Sequence, residues 1–279
     1  MGIVPPRERT GPNRKKVGLA LSSGAVLGLA HVGVIEILEK NNIPIDLIAG
    51  TSMGAIVGAL YASGKTIAQI TTILKNLRLR KLMSMVDLAI PTRGFIRGKR
   101  LDKWLKSNIG NLEFTDLKLP FACMATDITT GEDIYIDRGP VAPAVRASSS
   151  IPVIFTPAKW QGRYLVDGAL VKPIPVRALK DMGADILIAV NVLPYLNNKQ
   201  EQKEKNRVRA PSIMRVVIRM IYILGYQAAQ EDLSCADIVI TPEVGHIFPA
   251  SFHRANECII RGKQAAELAI PEIKKALES

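Results

Sequence analysis

The chain has 279 residues and a formal net charge of +12, from 37 Lys and Arg against 25 Asp and Glu. With 48% hydrophobic residues it can bury one large α/β core or two small ones. The charge favours an anionic partner, yet 6 Phe, 6 Tyr and 2 Trp are too few for a protein that stacks unpaired bases, so nucleic acid is disfavoured as a ligand.

Residues 1–15 are polar and basic, carry Pro5-Pro6 and Gly11-Pro12, and read as a flexible arm without a signal-peptide apolar region. Val17–Leu21 is expected as a buried strand, 22–28 as a loop, and 29–40 as a helix ending at Asn41-Asn42. Val17 to Ile35 lacks any Asp, Glu, Lys or Arg and has the length of a membrane span. Ser22-Ser23-Gly24, Gly28, His31 and Gly33 within it instead favour strand, turn and buried helix. A second strand is expected at 45–49, followed by helices at 55–63 and 66–77.

Lys75 to Lys106 is strongly basic, with only Asp87 and Asp102 opposing its charge, and Leu82, Met83 and Met85 lie inside it. It reads as a loop-rich insert and a helix over 99–108. It is either a solvated basic face or a patch that makes transient contact with an anionic membrane surface. Strands follow at 120–126, 134–136, 162–166 and 186–192, with helices at 141–150 and 176–182. A polar loop at 196–210 leads to a helix from Pro211 to about Asp232, a short strand at 236–240, and a closing helix over 252–277 interrupted at Pro271. The 211–232 helix has a broad apolar side and is expected to pack on the domain, with a bilayer interface as the other possibility. The alternation of strands and helices predicts one α/β domain with a mainly parallel sheet. Residues 16–195 are expected to form its core, and 211–279 a C-terminal helical part packed on it.

The chemistry centres on Gly50-Thr51-Ser52-Met53-Gly54, a G-x-S-x-G run between an expected strand and an expected helix. Such a turn holds a serine hydroxyl out at the end of a sheet, with the helix N-terminus aimed at it. Ser52 is the candidate nucleophile, and a Cβ at Gly50 or Gly54 would crowd the strand or the helix start. A base must accompany it. The order Ser52, Asp167, His246 would suit an α/β-hydrolase triad, but several strands precede the nucleophile in that fold and only two do here. The other arrangement is a dyad of Ser52 with Asp167, which stands at an expected strand end before Gly168. Cys123, Cys235 and Cys258 have no metal-ligand spacing and fit a reducing cytoplasm. No metal or cofactor is expected.

Together these residues resemble the patatin-like phospholipases, in their bacterial branch. The resemblance covers about residues 16–195. It rests on Gly50–Gly54, on Asp167-Gly168-Ala169, and on the segments Ala125-Thr126-Asp127 with Gly131 and Arg146-Ala-Ser-Ser-Ser-Ile-Pro152. It implies a three-layer α/β/α sandwich, a Ser–Asp dyad without a catalytic histidine, and metal-free hydrolysis of lipid acyl esters. The enzyme would be cytoplasmic or peripheral at the inner membrane face. The resemblance also implies an oxyanion loop at Ser23–Gly28, with the amides of Gly24, Ala25 and Met53 as donors and Gly28 as part of the motif. Here Ser23 and Ala25 stand where the family has glycine, and Leu27 where it has a basic residue. A catalytically weak lipid-binding relative, or an acyltransferase to an acceptor other than water, are the competing expectations.

Overall fold

The computed structural model describes residues 14–76, 98–193 and 213–279. Most of the basic arm (1–13), the centre of the basic stretch (77–97) and the polar loop at 196–210 lie outside the described residues.

The strands are β1 (Val17–Leu21), β2 (Leu47–Thr51), β3 (Phe121–Asp127), β4 (Asp133–Ile136), β5 (Ala158–Trp160), β6 (Arg163–Asp167), β7 (Ile186–Val190) and β8 (Ile238–Ile240). The helices are α1 (Ala30–Lys40), α2 (Met53–Ala62), α3 (Ile67–Lys75), α4 (Lys99–Ile109), α5 (Val141–Ser148), α6 (Val176–Asp181), α7 (Ile213–Leu233) and α8 (Ala255–Glu278). All eight strands join one sheet. β1 lies at its centre with β2 and β7 parallel on either side, β3 parallel beyond β2, and β8 parallel beyond β7. β4, β5 and β6 enter antiparallel at the β3 end.

The central strands are apolar along their whole length because both faces are covered. Val17, Leu19 and Leu21 of β1, Ile48 of β2 and Ile186, Ile188 and Val190 of β7 point into one core, shared with α1, α2, α3, α4, α5 and α8. Ala20, Leu47, Ala49, Leu187 and Ala189 point the other way, toward α6 and α7. This second face is built from small residues, so its helices lie close. A Cβ on Gly18 would come within 2.8 Å of the Ala184 Cβ. The result is the expected three-layer α/β/α arrangement on a mixed, mostly parallel sheet.

Helix α2 is buried at every residue and lies under the sheet, with Gly58 against Ile48 and Phe121. Helix α8 crosses α1 through two reciprocal glycines. A Cβ on Gly33 would lie 2.0 Å from the Ile259 carbonyl oxygen, and one on Gly262 would lie 2.0 Å from that of Ala30.

The pairing of β3 fixes the place of everything chemical. β4 occupies one edge of β3, from Cys123↔Ile136 to Thr126↔Asp133. The other edge must then hold both β2, at Ile48↔Phe121 through Thr51↔Met124, and β6, at Ala125↔Asp167 through Asp127↔Leu165. β2 is parallel to β3 and β6 antiparallel, so the two run toward each other along a shared edge. Their C-terminal ends meet, with Thr51 opposite Met124 and Asp167 opposite Ala125.

Several boundaries differ from expectation. β2 begins and ends two residues later, because Gly50 and Thr51 are buried and still paired to Cys123 and Met124. Part of the expected loop at 22–28 is a 3-10 turn over Ala25–Leu29. The three-residue edge strand β5 was not expected at all. Helix α8 runs through Pro271 without a break. Proline costs it one backbone hydrogen bond, but Ile270 and Ile273 on either side are buried in the core and hold the helix course.

At an exposed helix position Gly→Ala is stabilising by about 1 kcal/mol. Gly33→Ala and Gly262→Ala should do the opposite here, each lowering unfolding free energy by at least about 2 kcal/mol, since the new methyl meets backbone that cannot rotate away. Urea denaturation midpoints check the sign.

Candidate active site

Ser52 follows the last residue of β2 and precedes α2, with φ 55° and ψ −116°. A serine at positive φ is strained, and the neighbouring residues explain how the turn is kept. A Cβ on Gly50 would lie 2.5 Å from the Gly54 carbonyl oxygen, and one on Gly54 would lie 2.1 Å from that of Leu21. Only glycine at both places lets β2 reverse into α2 against the end of β1.

The Ser52 hydroxyl donates to Asp167 Oδ2 at 2.7 Å. Asp167 Oδ1 accepts from the Ala169 amide at 2.9 Å, so both carboxylate oxygens are engaged. Gly168 makes the turn possible, because a Cβ there would lie 2.4 Å from the Met124 carbonyl oxygen. Asp167 is 1% exposed and Ser52 7%. Burial pushes the Asp167 carboxyl up to about 6, against the opposing pull of the Ser52 hydroxyl and the Ala169 amide.

Neither candidate histidine lies between the two oxygens. His246 pairs through Nε2 with Glu257 at 2.7 Å, in a partly exposed cluster with Arg254. His31 is fully buried and its Nε2 bonds the Ser22 carbonyl at 2.8 Å. Burial lowers its pKa to about 4, against the pull of that bond, so it is neutral near pH 7 and clamps the start of the 23–28 loop.

That loop lies against the head of α2, where a Cβ on Gly28 would come within 2.6 Å of Met53 Cγ. The amides of Gly24, Ala25 and Met53 donate to no acceptor among the described residues. Ser23, by contrast, spends its amide on the Pro173 carbonyl at 2.8 Å. Ala25, where the family has glycine, has φ 49°.

The serine run after α5 supports both partners at once. Ser52 N–H donates to Ser148 Oγ at 3.0 Å, and Asp167 N–H donates to the Ser150 carbonyl at 2.9 Å. Ser149 Oγ donates to the Ser52 carbonyl at 3.4 Å. Arg146 pins this run from behind. Its guanidinium bonds Ser150 Oγ and the Thr156 carbonyl and lies over the Phe155 ring. Sequence reasoning marked Arg146–Pro152 only as a family-like segment. Three serines beside a buried arginine were the available signal, but nothing in their spacing says which backbone they serve.

Sequence reasoning also missed α7 as a wall of the site. Gly225 lies so close that a Cβ would be 2.7 Å from the Ala169 carbonyl oxygen. Ser23, Ala169, Pro173, Ile221, Tyr222 and Gly225 line a narrow crevice there. The Tyr222 phenol is raised by burial and by the charge of Asp167. Among the described residues no three His, Cys, Asp or Glu side chains are grouped so as to hold a metal ion.

A serine hydroxyl bonded directly to a buried carboxylate, beside amides that have no acceptor among the described residues, is an arrangement suited to acyl transfer. An uncharacterized NTE family protein of Mycobacterium tuberculosis is 34% identical over 182 residues, covering 65% of this chain and 50% of that protein. Lysophospholipase nte1 of Aspergillus fumigatus is 35% identical over 182 residues, covering 64% of this chain and 12% of that protein. The chain thus spans half the length or less of these relatives. The crystal structure of VipD from Legionella pneumophila shares the fold, with a TM-score of 0.63 at 14% identity over 94% of this chain and 67% of that one. The family model described as patatin-like phospholipase matches residues 19–180, more than half of the sequence, and the chain belongs to that family.

Proposed function

We propose that the protein is a serine hydrolase of lipid acyl esters, with Ser52 as nucleophile and Asp167 as general base. The observation that carries this reading is the 2.7 Å hydrogen bond from the Ser52 hydroxyl to a carboxylate that is 1% exposed. Asp167 takes the hydroxyl proton as Ser52 Oγ attacks the ester carbonyl. The amides of Gly24, Ala25 and Met53 receive the developing oxyanion. As the tetrahedral intermediate collapses, Asp167 returns the proton to the departing alcohol or lysolipid, leaving an acyl-serine. Asp167 then removes a proton from water, which attacks the acyl carbonyl, and the fatty acid leaves as Ser52 regains its proton. The scheme calls for no metal or cofactor.

A lipid substrate is supported by the family and by the lysophospholipase relative. We assign catalysis to residues 16–195, with 211–279 as part of the same domain. The enzyme would work in the cytoplasm, peripherally at the inner membrane face. The +12 charge and three unpaired cysteines support that placement. Among the described residues no helix is long and apolar enough to cross a membrane.

One observation favours a second reading, that of a weak hydrolase retained as a lipid-binding protein. Ala25 holds a φ of 49° where the family has glycine, at the point where the oxyanion would be received. Covalent labelling by a fluorophosphonate separates the two, since only a competent Ser52 reacts rapidly.

Hydrolysis of p-nitrophenyl esters should fall by at least about 10⁴-fold in Ser52→Ala. In Asp167→Asn it should fall by about 10²–10⁴-fold, with His246→Ala close to wild type. Retained activity in Asp167→Asn with loss in His246→Ala would reverse the assignment of the base.

The pH profile has a definite sign. Asp167 must be ionised to act, so kcat/KM should climb through about pH 6 and level off above pH 7. Stability should move the other way. Between its reference value of 3.8 and about 6 only the folded state keeps the proton, so raising the pH through that window removes stability. A shift of this size corresponds to about 3 kcal/mol once the group is ionised. Asp167→Asn should therefore unfold later than wild type at pH 7.5, with the difference shrinking at pH 4.

At an ordinary φ, Ala→Gly costs about 0.5–1 kcal/mol. Ala25→Gly should instead be neutral or stabilising by up to about 1 kcal/mol, because it removes a left-handed strain of about 1–2 kcal/mol. Thermal unfolding measures this directly.

A further inference from the structure

Helix α7 has two apolar sides. On the inner one, Ile221 and Ala229 are buried and Gly225 touches the turn after Asp167. On the outer one, Val216, Met220, Ile223 and Leu224 are 40%, 54%, 51% and 58% exposed. Their spacing of four, three and one residues places them on a single stripe about two turns long. A helix that is apolar on both sides is either buried all round or meets an apolar medium. Elsewhere among the described residues no element carries more than two exposed large apolar side chains.

The charge on this helix points to the occupant. Residues 213–230 include Arg215 and Arg219 and no Asp or Glu, and the chain as a whole carries +12. The first acid is Glu231, where the outer face has already turned polar at Gln227 and Gln230. An apolar stripe on an acid-free stretch of helix, in a protein of strong positive charge, matches an anionic lipid surface: the stripe enters the acyl boundary and the positive charge of the chain faces the headgroups. The site beneath gives the match a use. The crevice between α7 and the Asp167 turn leaves no room for even a water-sized molecule. The wall that must yield to a lipid is therefore the same helix that presents the stripe.

We infer that the outer face of α7, formed by Val216, Met220, Ile223 and Leu224, docks the protein on an anionic bilayer. The choice of partner rests on the lipid-substrate reading above, but the docking itself needs no catalysis.

Flotation with vesicles of phosphatidylcholine alone, or mixed with phosphatidylglycerol, tests it on the full chain. The wild type should float with the mixed vesicles, and less so with phosphatidylcholine alone. Met220→Asp combined with Ile223→Asp should weaken partitioning by at least about tenfold while hydrolysis of a soluble short-chain ester stays within about twofold. Should the aspartates disturb folding, Val216→Ser combined with Leu224→Ser must show the same separation. Ser52→Ala must float like the wild type, and flotation by a wild type that hydrolyses nothing would sink the catalytic reading while leaving docking intact. The proposal is overturned if the wild type ignores anionic vesicles, or if both paired variants float unchanged. Light scattering that shows a wild-type dimer converted to monomer by the paired substitutions would also overturn it, since the stripe would then join two copies of the chain.

Discussion

Two strands that run at each other along one edge of β3 determine the rest of this structure. β2 ends opposite Met124 and β6 ends opposite Ala125, so Thr51 and Asp167, far apart in sequence, arrive at neighbouring rungs of one ladder. Their closeness is set by backbone hydrogen bonds and not by the reach of two flexible side chains. Ser52 and Asp167 therefore meet directly, and no third group is required to span a gap. For Asp167 to serve as the base proposed above it must gain basicity from its surroundings, because a carboxylate in water is a poor proton acceptor at neutral pH. The strand junction supplies that as well. The place where the two ends meet is sealed by the sheet on one side and by α7 on the other, and exclusion of water raises the carboxyl to about 6.

The same enclosure has costs, and the surrounding contacts can be read as their compensation. Ser52 keeps a positive φ only because Gly50 and Gly54 remove the clashes that would straighten the turn. Its amide is held by Ser148, and the amide of Asp167 by the carbonyl of Ser150, so one short run at the end of α5 fixes both halves of the pair in a common frame. Among the described residues Arg146 makes no direct ion pair, Asp102 acting on it only at longer range, and it lies buried on Phe155 with its donors on Ser150 and Thr156. Burying a guanidinium away from a direct ion pair is costly. Its presence here makes sense as the brace of the serine run.

Much of this was legible in the sequence because it follows from local pattern. The buried strands show as short apolar runs. The turn at Ser52 shows in Gly50 and Gly54 flanking Thr51-Ser52-Met53, and Asp167 stands out by preceding Gly168 at a strand end. What could not be read is long-range pairing. Nothing in 163–167 says that β6 runs antiparallel into the end of β2, since a strand's period reveals its faces and not its partners. For the same reason the roles of Ser148 and Ser150 were invisible, as both act on backbone atoms far away in sequence. β5 is too short to show a period. Pro271 misled for a different reason: local preference would end the helix, and core burial of its neighbours overrides that preference.

The altered loop at Ser23–Gly28 is best judged by comparing magnitudes. Ala25 at φ 49° costs about 1–2 kcal/mol relative to glycine. Val26 and Leu27 beside it are fully buried, and burial of each such side chain stabilises by about 1.5–3 kcal/mol. His31 adds a buried hydrogen bond to the Ser22 carbonyl at the base of the loop. The anchoring therefore exceeds the strain, and the loop is held in place with its Gly24 and Ala25 amides lacking an acceptor among the described residues. Leu27 stands where the family has a basic residue, and its surroundings suit the apolar side chain. That position is buried in the main hydrophobic core, where a charge without a partner would be expelled and would carry the loop with it. A leucine keeps the loop seated by packing. Donors fixed before the substrate arrives need no reorganisation during the reaction, and that fixity is the property an oxyanion site depends on.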